Sequence, residues 1–170
     1  MKTIYLTGFM GSGKSHTGKL LAERLGLPFI DLDAVIETTA GKTISEIFAE
    51  EGESAFRELE TSSLRATAND PPGVVSTGGG APCFNDNMDW MNRHGVTVFL
   101  DPPVGVLLQR LETGRDHRPL LQPAQELGAF ITRKLASRRP QYEKAQIQLS
   151  LADPNAEVER LLVRLLGNEG

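Results

Sequence analysis

The residues best suited to chemistry form one short run, residues 8–15, which read GFMGSGKS. This run fits the phosphate-loop pattern G-x-x-x-x-G-K-S. Its glycines permit positive φ angles, so successive backbone N–H groups can turn inward and form a nest for anionic oxygens. Lys14 adds a charge for the β- and γ-phosphates of a nucleotide, and Ser15 offers a hydroxyl to Mg²⁺.

The elements on either side of this run are those that a phosphate loop needs. Residues 3–7, TIYLT, are β-branched and aromatic, which is typical of a buried strand. Leu20, Leu21 and Leu25 then recur at helical spacing until Gly26. The loop is therefore predicted at a helix N-terminus, where anions bind readily. The alternative is a glycine-rich turn that merely contains a lysine. Such a turn would not require a strand before it and a helix after it.

Two carboxylates end the predicted second strand, residues 28–33. Asp31 and Asp33 are two residues apart, and on an extended segment this spacing places both side chains on one side. One carboxylate could hold Mg²⁺ through water while the other takes a proton from a hydroxyl nucleophile. The alternative is that Asp33 caps a helix that begins at Ala34.

Arg57 and Glu60 share one face of a predicted helix, because they are three residues apart. They form either a solvated surface pair or a clamp in which Glu60 orients Arg57 toward a substrate carboxylate. Three glycines, residues 78–80, follow the predicted third strand, residues 74–77. Since adjacent glycines weaken structure, close approach of the backbone to a ligand is their expected reason.

Other candidates have a plain structural alternative. Phe48 and Phe56 are expected in the core. Arg118 lies in a polar, aperiodic segment, residues 112–121, which is either an exposed loop or a lid that carries an arginine to the γ-phosphate. Arg138 and Arg139 precede Pro140 and are expected first as helix C-terminal charges.

Strand and helix patterns alternate along the chain and predict a parallel sheet with helices on both faces. The predicted strands are residues 3–7, 28–33, 74–77, 96–100 and 147–151. In such sheets ligands bind beyond the carboxyl ends of the strands. The phosphate loop, the two aspartates and the three glycines all fall at that edge.

Composition narrows the remaining possibilities. A chain of 170 residues fits one domain, and its net charge of −4 gives no footprint for nucleic acid or an anionic membrane. The single cysteine excludes an internal disulfide and fits a reducing compartment. The sequence shows no signal peptide and no membrane-spanning apolar run. We expect a cytoplasmic protein.

Taken together, these residues resemble the shikimate kinases, small phosphate-loop enzymes of the nucleoside-monophosphate-kinase-like group. The resemblance covers nearly the whole chain. The ordered motifs that carry it are GFMGSGKS at Gly8, DLD at Asp31, F-R-x-x-E at Phe56, GGG at Gly78, RPLL at Arg118, and Arg138 four residues before Tyr142.

The resemblance implies a role for each matching residue. Lys14, Asp33 and Arg118 would be catalytic, with Asp33 as base, and Ser15 and Asp31 would bind Mg²⁺. The implied nucleotide contacts are Gly11, Ser12, Gly13, Lys14, Ser15, His16, Arg110 and Arg118. The implied shikimate contacts are Asp33, Phe48, Phe56, Arg57, Glu60, Gly78, Gly79, Gly80 and Arg138.

The resemblance also implies an activity and an architecture. The activity is transfer of the γ-phosphate of ATP to the 3-hydroxyl of shikimate, a step toward chorismate and the aromatic amino acids. The architecture is one domain, residues 1–170, a three-layer α/β sandwich with strand order 2-3-1-4-5. Within it, residues 33–62 would carry shikimate-binding helices and residues 112–121 a lid. The chain would act as a monomer with Mg²⁺ and ATP.

Two other functions stay open from the residues themselves. One is a kinase with a different acceptor, such as gluconate or a nucleotide, although Arg57 and Arg138 suit a small carboxylate. The other is a nucleotide-binding module without catalysis, and the presence of Asp33, Arg57 and Arg118 argues against it.

Overall fold

The computed structural model describes residues 1–113 and 124–167. Its five strands are β1 Thr3–Thr7, β2 Phe29–Asp31, β3 Val74–Ser76, β4 Gly95–Leu100 and β5 Ile147–Leu149. They pair in parallel in the order β2-β3-β1-β4-β5. The predicted fold class and strand order are confirmed.

Seven helices connect and cover the strands in the described part of the chain. They are α1 Lys14–Leu25, α2 Leu32–Ala40, α3 Ile44–Ala66, α4 Asn87–His94, α5 Val104–Thr113, α6 Ala124–Tyr142 and α7 Pro154–Gly167. Short 3₁₀ turns lie at Thr67–Asn69 and Ala81–Cys83. Thr43 caps α3, since its hydroxyl accepts the Glu46 N–H at 3.1 Å. At Gly52 the backbone is not helical, with φ 88° and ψ 171°, so α3 consists of two helical segments joined at a kink.

Alternating residues of the central strand divide the core into two layers. Ile4 and Leu6 face a cluster that includes Leu21 of α1 and Leu161 of α7. Tyr5 faces the opposite cluster, which is built mainly from α2, α3 and α4. A third cluster packs α5 and α6 beside β4. This arrangement fixes the carboxyl ends of the strands as one edge of a rigid sheet.

Two further predictions concern membrane-spanning helices and the lid segment. No helix within the described ranges has both the length and the apolar character needed to cross a membrane. Residues 112 and 113 of the predicted lid segment, residues 112–121, form the last turn of α5. The remainder of that segment, with Arg118, lies outside the described residues.

Glu157, in the first turn of α7, is an unusual member of the core. Its side chain is 1 % exposed, and neither carboxylate oxygen has a hydrogen-bond partner within residues 1–113 and 124–167. Burial raises the pKa of Glu157 to about 7, with Arg110 opposing the shift and Asp153 adding to it. Below about pH 7 the folded protein therefore favours the protonated carboxyl.

Glu157→Gln is expected to stabilise the protein at pH 8 and to leave its stability nearly unchanged at pH 4.5. Since the folded state keeps the proton at pH values between the ordinary pKa and about 7, wild-type stability falls as pH rises through that window. The expected gain at pH 8 is about 3 kcal/mol. Denaturant unfolding at both pH values measures it. Glu159→Gln, which changes an exposed residue of the same helix, is the control, and an equal gain at both pH values would contradict the prediction.

Candidate active site

The phosphate loop connects β1 to α1, as the sequence predicts. Gly13 forms the N-cap of α1 in the left-handed conformation at φ 95°, which favours glycine. A Cβ on Gly8 would lie 2.6 Å from the carbonyl oxygen of Leu100, so no other residue fits there. The loop is held between the end of β1 and the neighbouring strand, with its backbone at the N-terminus of a helix.

Lys14 anchors its ammonium on the loop itself. Nζ donates to the carbonyl oxygens of Gly8 at 2.7 Å and Phe9 at 3.1 Å. Burial lowers the pKa of Lys14 to about 8, and Asp33 is the largest influence against this shift. The Lys14 ammonium and the Asp33 carboxylate therefore interact electrostatically at the carboxyl edge of the sheet.

A cleft of about 360 Å³ opens beside the loop. It brings together several residues that are far apart along the chain. Its predicted lining residues are Gly11, Gly13, Lys14, Ser15, His16, Asp31, Asp33, Gly78 and Gly79. Met10, Ser76 and Thr77 also line it and were missed, although Ser76 and Thr77 end the strand that leads to the three glycines.

The two aspartates reach the cleft by a different route from the one expected. The extended segment ends at Asp31, and Asp33 lies in the first turn of α2. Asp31, not Asp33, caps this helix, because its Oδ1 accepts the N–H groups of Asp33 at 3.0 Å and Ala34 at 3.4 Å. The prediction from strand alternation was wrong, since an aspartate N-cap starts a helix immediately after a three-residue strand.

The environment of Asp33 raises its affinity for a proton. Burial is the largest cause of the raised pKa of Asp33, and the neighbouring charge of Asp31 adds to it. Lys14 opposes the shift. Such a carboxylate is a better proton acceptor than an exposed aspartate.

Arg57 and Glu60 of α3 form a buried pair. Arg57 Nη1 donates to Glu60 Oε1 at 2.9 Å, and the two side chains are 13 % and 1 % exposed. Burial raises the pKa of Glu60, and its hydrogen bond with Arg57 opposes that shift. The alternative of a solvated surface pair is excluded by this burial.

The three adjacent glycines make room for side chains of the protein itself. A Cβ added to Gly78, Gly79 or Gly80 would lie, respectively, 3.0 Å from Glu60 Oε2, 3.2 Å from Arg138 Nη1 and 2.6 Å from Arg57 Nη2. None of the three glycines has a left-handed φ angle. The expected reason, approach to a ligand, is therefore incomplete, because Glu60, Arg138 and Arg57 already occupy that space.

The adjacent arginines of α6 separate into two roles. The helix continues through Pro140 to Tyr142, so Arg139 lies in its last turn, as expected, and Arg138 lies one residue before that turn. Arg138 points to the three glycines and lies 5.6 Å from the Phe9 ring centroid. Arg139 instead forms a fork with Asp101, at 2.8 and 3.1 Å.

Tyr142 lies one helical turn after Arg138 and fixes this part of the cleft. Its hydroxyl donates to the carbonyl oxygen of Gly79. Burial raises the pKa of Tyr142 to about 12, and Arg138 opposes the shift. The phenol is therefore neutral and serves as a stable donor to the glycine segment.

Phe48, Phe56 and Arg110, which were predicted as contacts, are not among the residues that line the cleft. The Phe48 and Phe56 rings are 4.7 Å apart, but Phe48 is 38 % exposed, so the expectation of a core position fails for it. Arg110 packs against the loop, with Nη1 donating to Gly11 O at 3.0 Å and Nη2 to Ala152 O at 2.7 Å.

Comparison with known proteins identifies the family. A sequence model described as shikimate kinase matches residues 10–165. The shikimate kinase of Bacteroides thetaiotaomicron is 50 % identical over 148 residues, which are 86 % of this chain and 85 % of that protein. The chain belongs to the shikimate kinase family. The prediction of an ATP-dependent shikimate kinase is thereby confirmed.

Solved structures of shikimate kinases have the same architecture. The crystal structure from Bacteroides thetaiotaomicron superposes with a TM-score of 0.91 at 45 % identity, covering 96 % of this chain and 98 % of that one. The shikimate kinase from Acinetobacter baumannii, solved in complex with shikimate, gives 0.89 at 36 % identity, covering 99 % and 94 %. A gluconokinase from Sinorhizobium meliloti gives 0.53 at 21 % identity, which shows a shared fold alone.

Proposed function

We propose that the cleft divides phosphoryl transfer between the phosphate loop on one side and α2, α3 and α6 on the other. The observation that carries this proposal is the meeting of Lys14, Asp33 and the Arg57–Glu60 pair at the same edge of the sheet. Lys14 approaches Asp33 closely enough for each to shift the other's pKa. A nucleotide phosphate on the loop and a hydroxyl on Asp33 would then face each other.

On the nucleotide side, the loop amides and Lys14 bind the β- and γ-phosphates of ATP. Residues 11–16 supply these contacts, and Arg110 lies beside Gly11 on the outer side of the loop. Lys14 keeps its charge when phosphate oxygens replace the carbonyls, because an anion nearby favours the ammonium. From the sequence alone, we propose that Arg118 adds its positive charge at the transferred γ-phosphoryl group.

The oxygen donors beside the loop fit Mg²⁺. Ser15 and Asp31 both line the cleft, and the α2 cap engages only Oδ1 of Asp31. No cluster of three histidine, cysteine or acidic side chains suited to a metal occurs within the described ranges. This suits Mg²⁺, which is usually held by one or two protein oxygens together with substrate phosphates. When bound, it would neutralise charge on the β- and γ-phosphates.

On the acceptor side, Arg57 and Arg138 bind the carboxylate of shikimate. Both guanidinium groups border the three-glycine segment, and Glu60 orients Arg57. Asp33 binds the ring hydroxyls and accepts the proton of the 3-hydroxyl as it attacks the γ-phosphorus. Phe48 and Phe56 form the apolar wall. Residues 33–62 thereby serve as the shikimate-binding helices of a single domain, and residues 112–121 as its lid.

Arg57→Ala is expected to weaken shikimate binding by roughly 10- to 100-fold, since a charge-assisted hydrogen bond contributes about 1.5–3 kcal/mol. Nucleotide affinity should change little. Titration calorimetry with shikimate and with ATP, on the wild type and the variant, tests both statements. A turnover assay run with shikimate, quinate, gluconate and nucleoside monophosphates should show shikimate as the preferred acceptor. Equal losses for shikimate and ATP would make Arg57 a structural residue.

We further propose that the enzyme acts as a cytoplasmic monomer without nucleic-acid or membrane partners. Its net charge of −4 gives no footprint for nucleic acid or an anionic membrane, and its single cysteine fits a reducing compartment. Sedimentation should give a mass near 18.5 kDa, and the activity should appear in the cytosolic fraction. A dimer mass or membrane-bound activity would overturn it.

A further inference from the structure

One aromatic ring of the site has no role in the mechanism above. The Arg57 guanidinium carbon lies 4.1 Å from the centroid of the Phe84 ring, closer than the 5.2 Å that separates it from Phe56. Phe84 follows the 3₁₀ turn Ala81–Cys83 in an extended conformation. Its ring is therefore positioned by the same segment that begins with the three glycines.

The contact complements the hydrogen bonds of Arg57. Nη1 donates to Glu60 at 2.9 Å, whereas Nε lies 3.5 Å from the exposed Glu53 and makes no hydrogen bond within the described ranges. The hydrogen bond to Glu60 holds Nη1, and a Cβ on Gly80 would lie 2.7 Å from Nη1 and 2.6 Å from Nη2. An aromatic face restrains the tilt of the plane without using any N–H donor. The donors that a carboxylate needs are left available.

The loop that carries Phe84 is built to hold the ring. Asn85 and Asp86 both have left-handed φ angles, 52° and 56°, an uncommon pair for residues other than glycine. Asn85 Nδ2 donates to Thr61 Oγ1 at 2.9 Å, and Asn85 O accepts from Arg65 Nη2 at 2.8 Å. Thr61 and Arg65 belong to α3, the helix that carries Arg57.

A second tether fixes the other end of this loop. Asn87, which is fully buried, donates through Nδ2 to Ala81 O at 3.0 Å and to Thr61 Oγ1 at 3.2 Å. The ring and the guanidinium are therefore attached to one rigid body.

We propose that Phe84 is a positioning residue for Arg57. The Phe84 ring sets the plane of the Arg57 guanidinium and thereby the affinity of the enzyme for shikimate. The proposal rests on the carboxylate-binding role of Arg57 given above. Removal of the ring would let the guanidinium tilt and become hydrated, so the fork would meet the carboxylate less often in the productive orientation.

Phe84→Leu removes the ring and keeps an apolar side chain. We expect the KM for shikimate to rise roughly 2- to 30-fold, the range expected from one cation–π contact. The KM for ATP should stay unchanged. The separate variant Phe84→Tyr, which keeps an aromatic ring, should retain the wild-type KM for shikimate. Thermal unfolding checks that each variant is folded, and Phe84→Met replaces the leucine variant if that one is not.

The decisive measurement repeats Phe84→Leu in an Arg57→Ala background. With no guanidinium to align, the second substitution should have no further effect on the KM for shikimate. The same rise in both backgrounds, or no rise in either, would overturn the role of Phe84. If Arg57→Ala itself leaves the KM for shikimate unchanged, the carboxylate-binding role of Arg57 fails instead, so the two failures are distinguishable.

Discussion

Lys14→Ala should lower kcat by at least about 10²–10³-fold, the loss measured when one preorganised donor to a developing charge is removed. The ammonium stands on two loop carbonyls, and burial lowers its pKa to about 8. The loop geometry depends on its glycines and backbone bonds, so the fold should survive. Steady-state kinetics with saturating ATP and shikimate measures the loss.

Stability provides the second measurement for this substitution. Because burial of the ammonium is unfavourable for the native protein, Lys14→Ala should leave the melting temperature unchanged or raise it slightly. Lys19→Ala, on the exposed face of the same helix, is the matched control and should leave kcat unchanged. A Lys14 variant that is folded and retains near-normal turnover would refute the proposed phosphate-binding role.

The elements of this fold could be predicted because each carries a local signal. β4 is almost wholly apolar, as a central strand between two helical layers must be, and it begins one residue before the predicted start. Gly26 ends α1 in the left-handed φ region that favours glycine. Thr43 begins α3 because its side-chain hydroxyl accepts a backbone N–H of the first turn. Strand order, in contrast, was available only from the family resemblance, because periodicity holds no information on which strands pair.

The placement of site side chains was less accessible from sequence. The two-residue spacing of Asp31 and Asp33 fits either a strand or the start of a helix. Which of these forms depends on which carboxylate accepts the free N–H groups of the first helical turn. Arg138 and Arg139 are identical in type and adjacent. Only the rotation of α6 against the sheet decides that Arg138 lies beside Gly79 and that Arg139 binds Asp101.

Phe84 could not be predicted as a site residue for a related reason. An aromatic residue in a loop gives no periodic signal, and its partner lies 27 positions earlier in the numbering, on α3. The Asn85–Asp86 pair that turns the chain beside it is a turn signal of the usual kind. What sequence cannot supply is the direction in which that turn presents the preceding ring.

Asp33→Asn should lower kcat by roughly 10²–10⁴-fold if the carboxylate removes the proton of the attacking hydroxyl. A loose phosphoryl-transfer transition state places the effect toward the lower end of that range. The amide keeps the size of the side chain and its ability to bind a hydroxyl, so the KM for shikimate should change much less than kcat. Rates measured over a pH series separate these effects.

The pH profile gives the sharper test. Burial and Asp31 raise the pKa of Asp33, so the wild-type rate should fall, as pH decreases, at a higher pH than for an ordinary aspartate. Asp33→Asn should abolish this acid limb. Asp31→Asn, the matched control two residues away, should keep the limb, moved to lower pH by the loss of a neighbouring charge, and should mainly raise the Mg²⁺ concentration needed for half-maximal rate. Identical pH and Mg²⁺ responses in the two variants would show that the proposed division between proton acceptor and metal ligand is wrong.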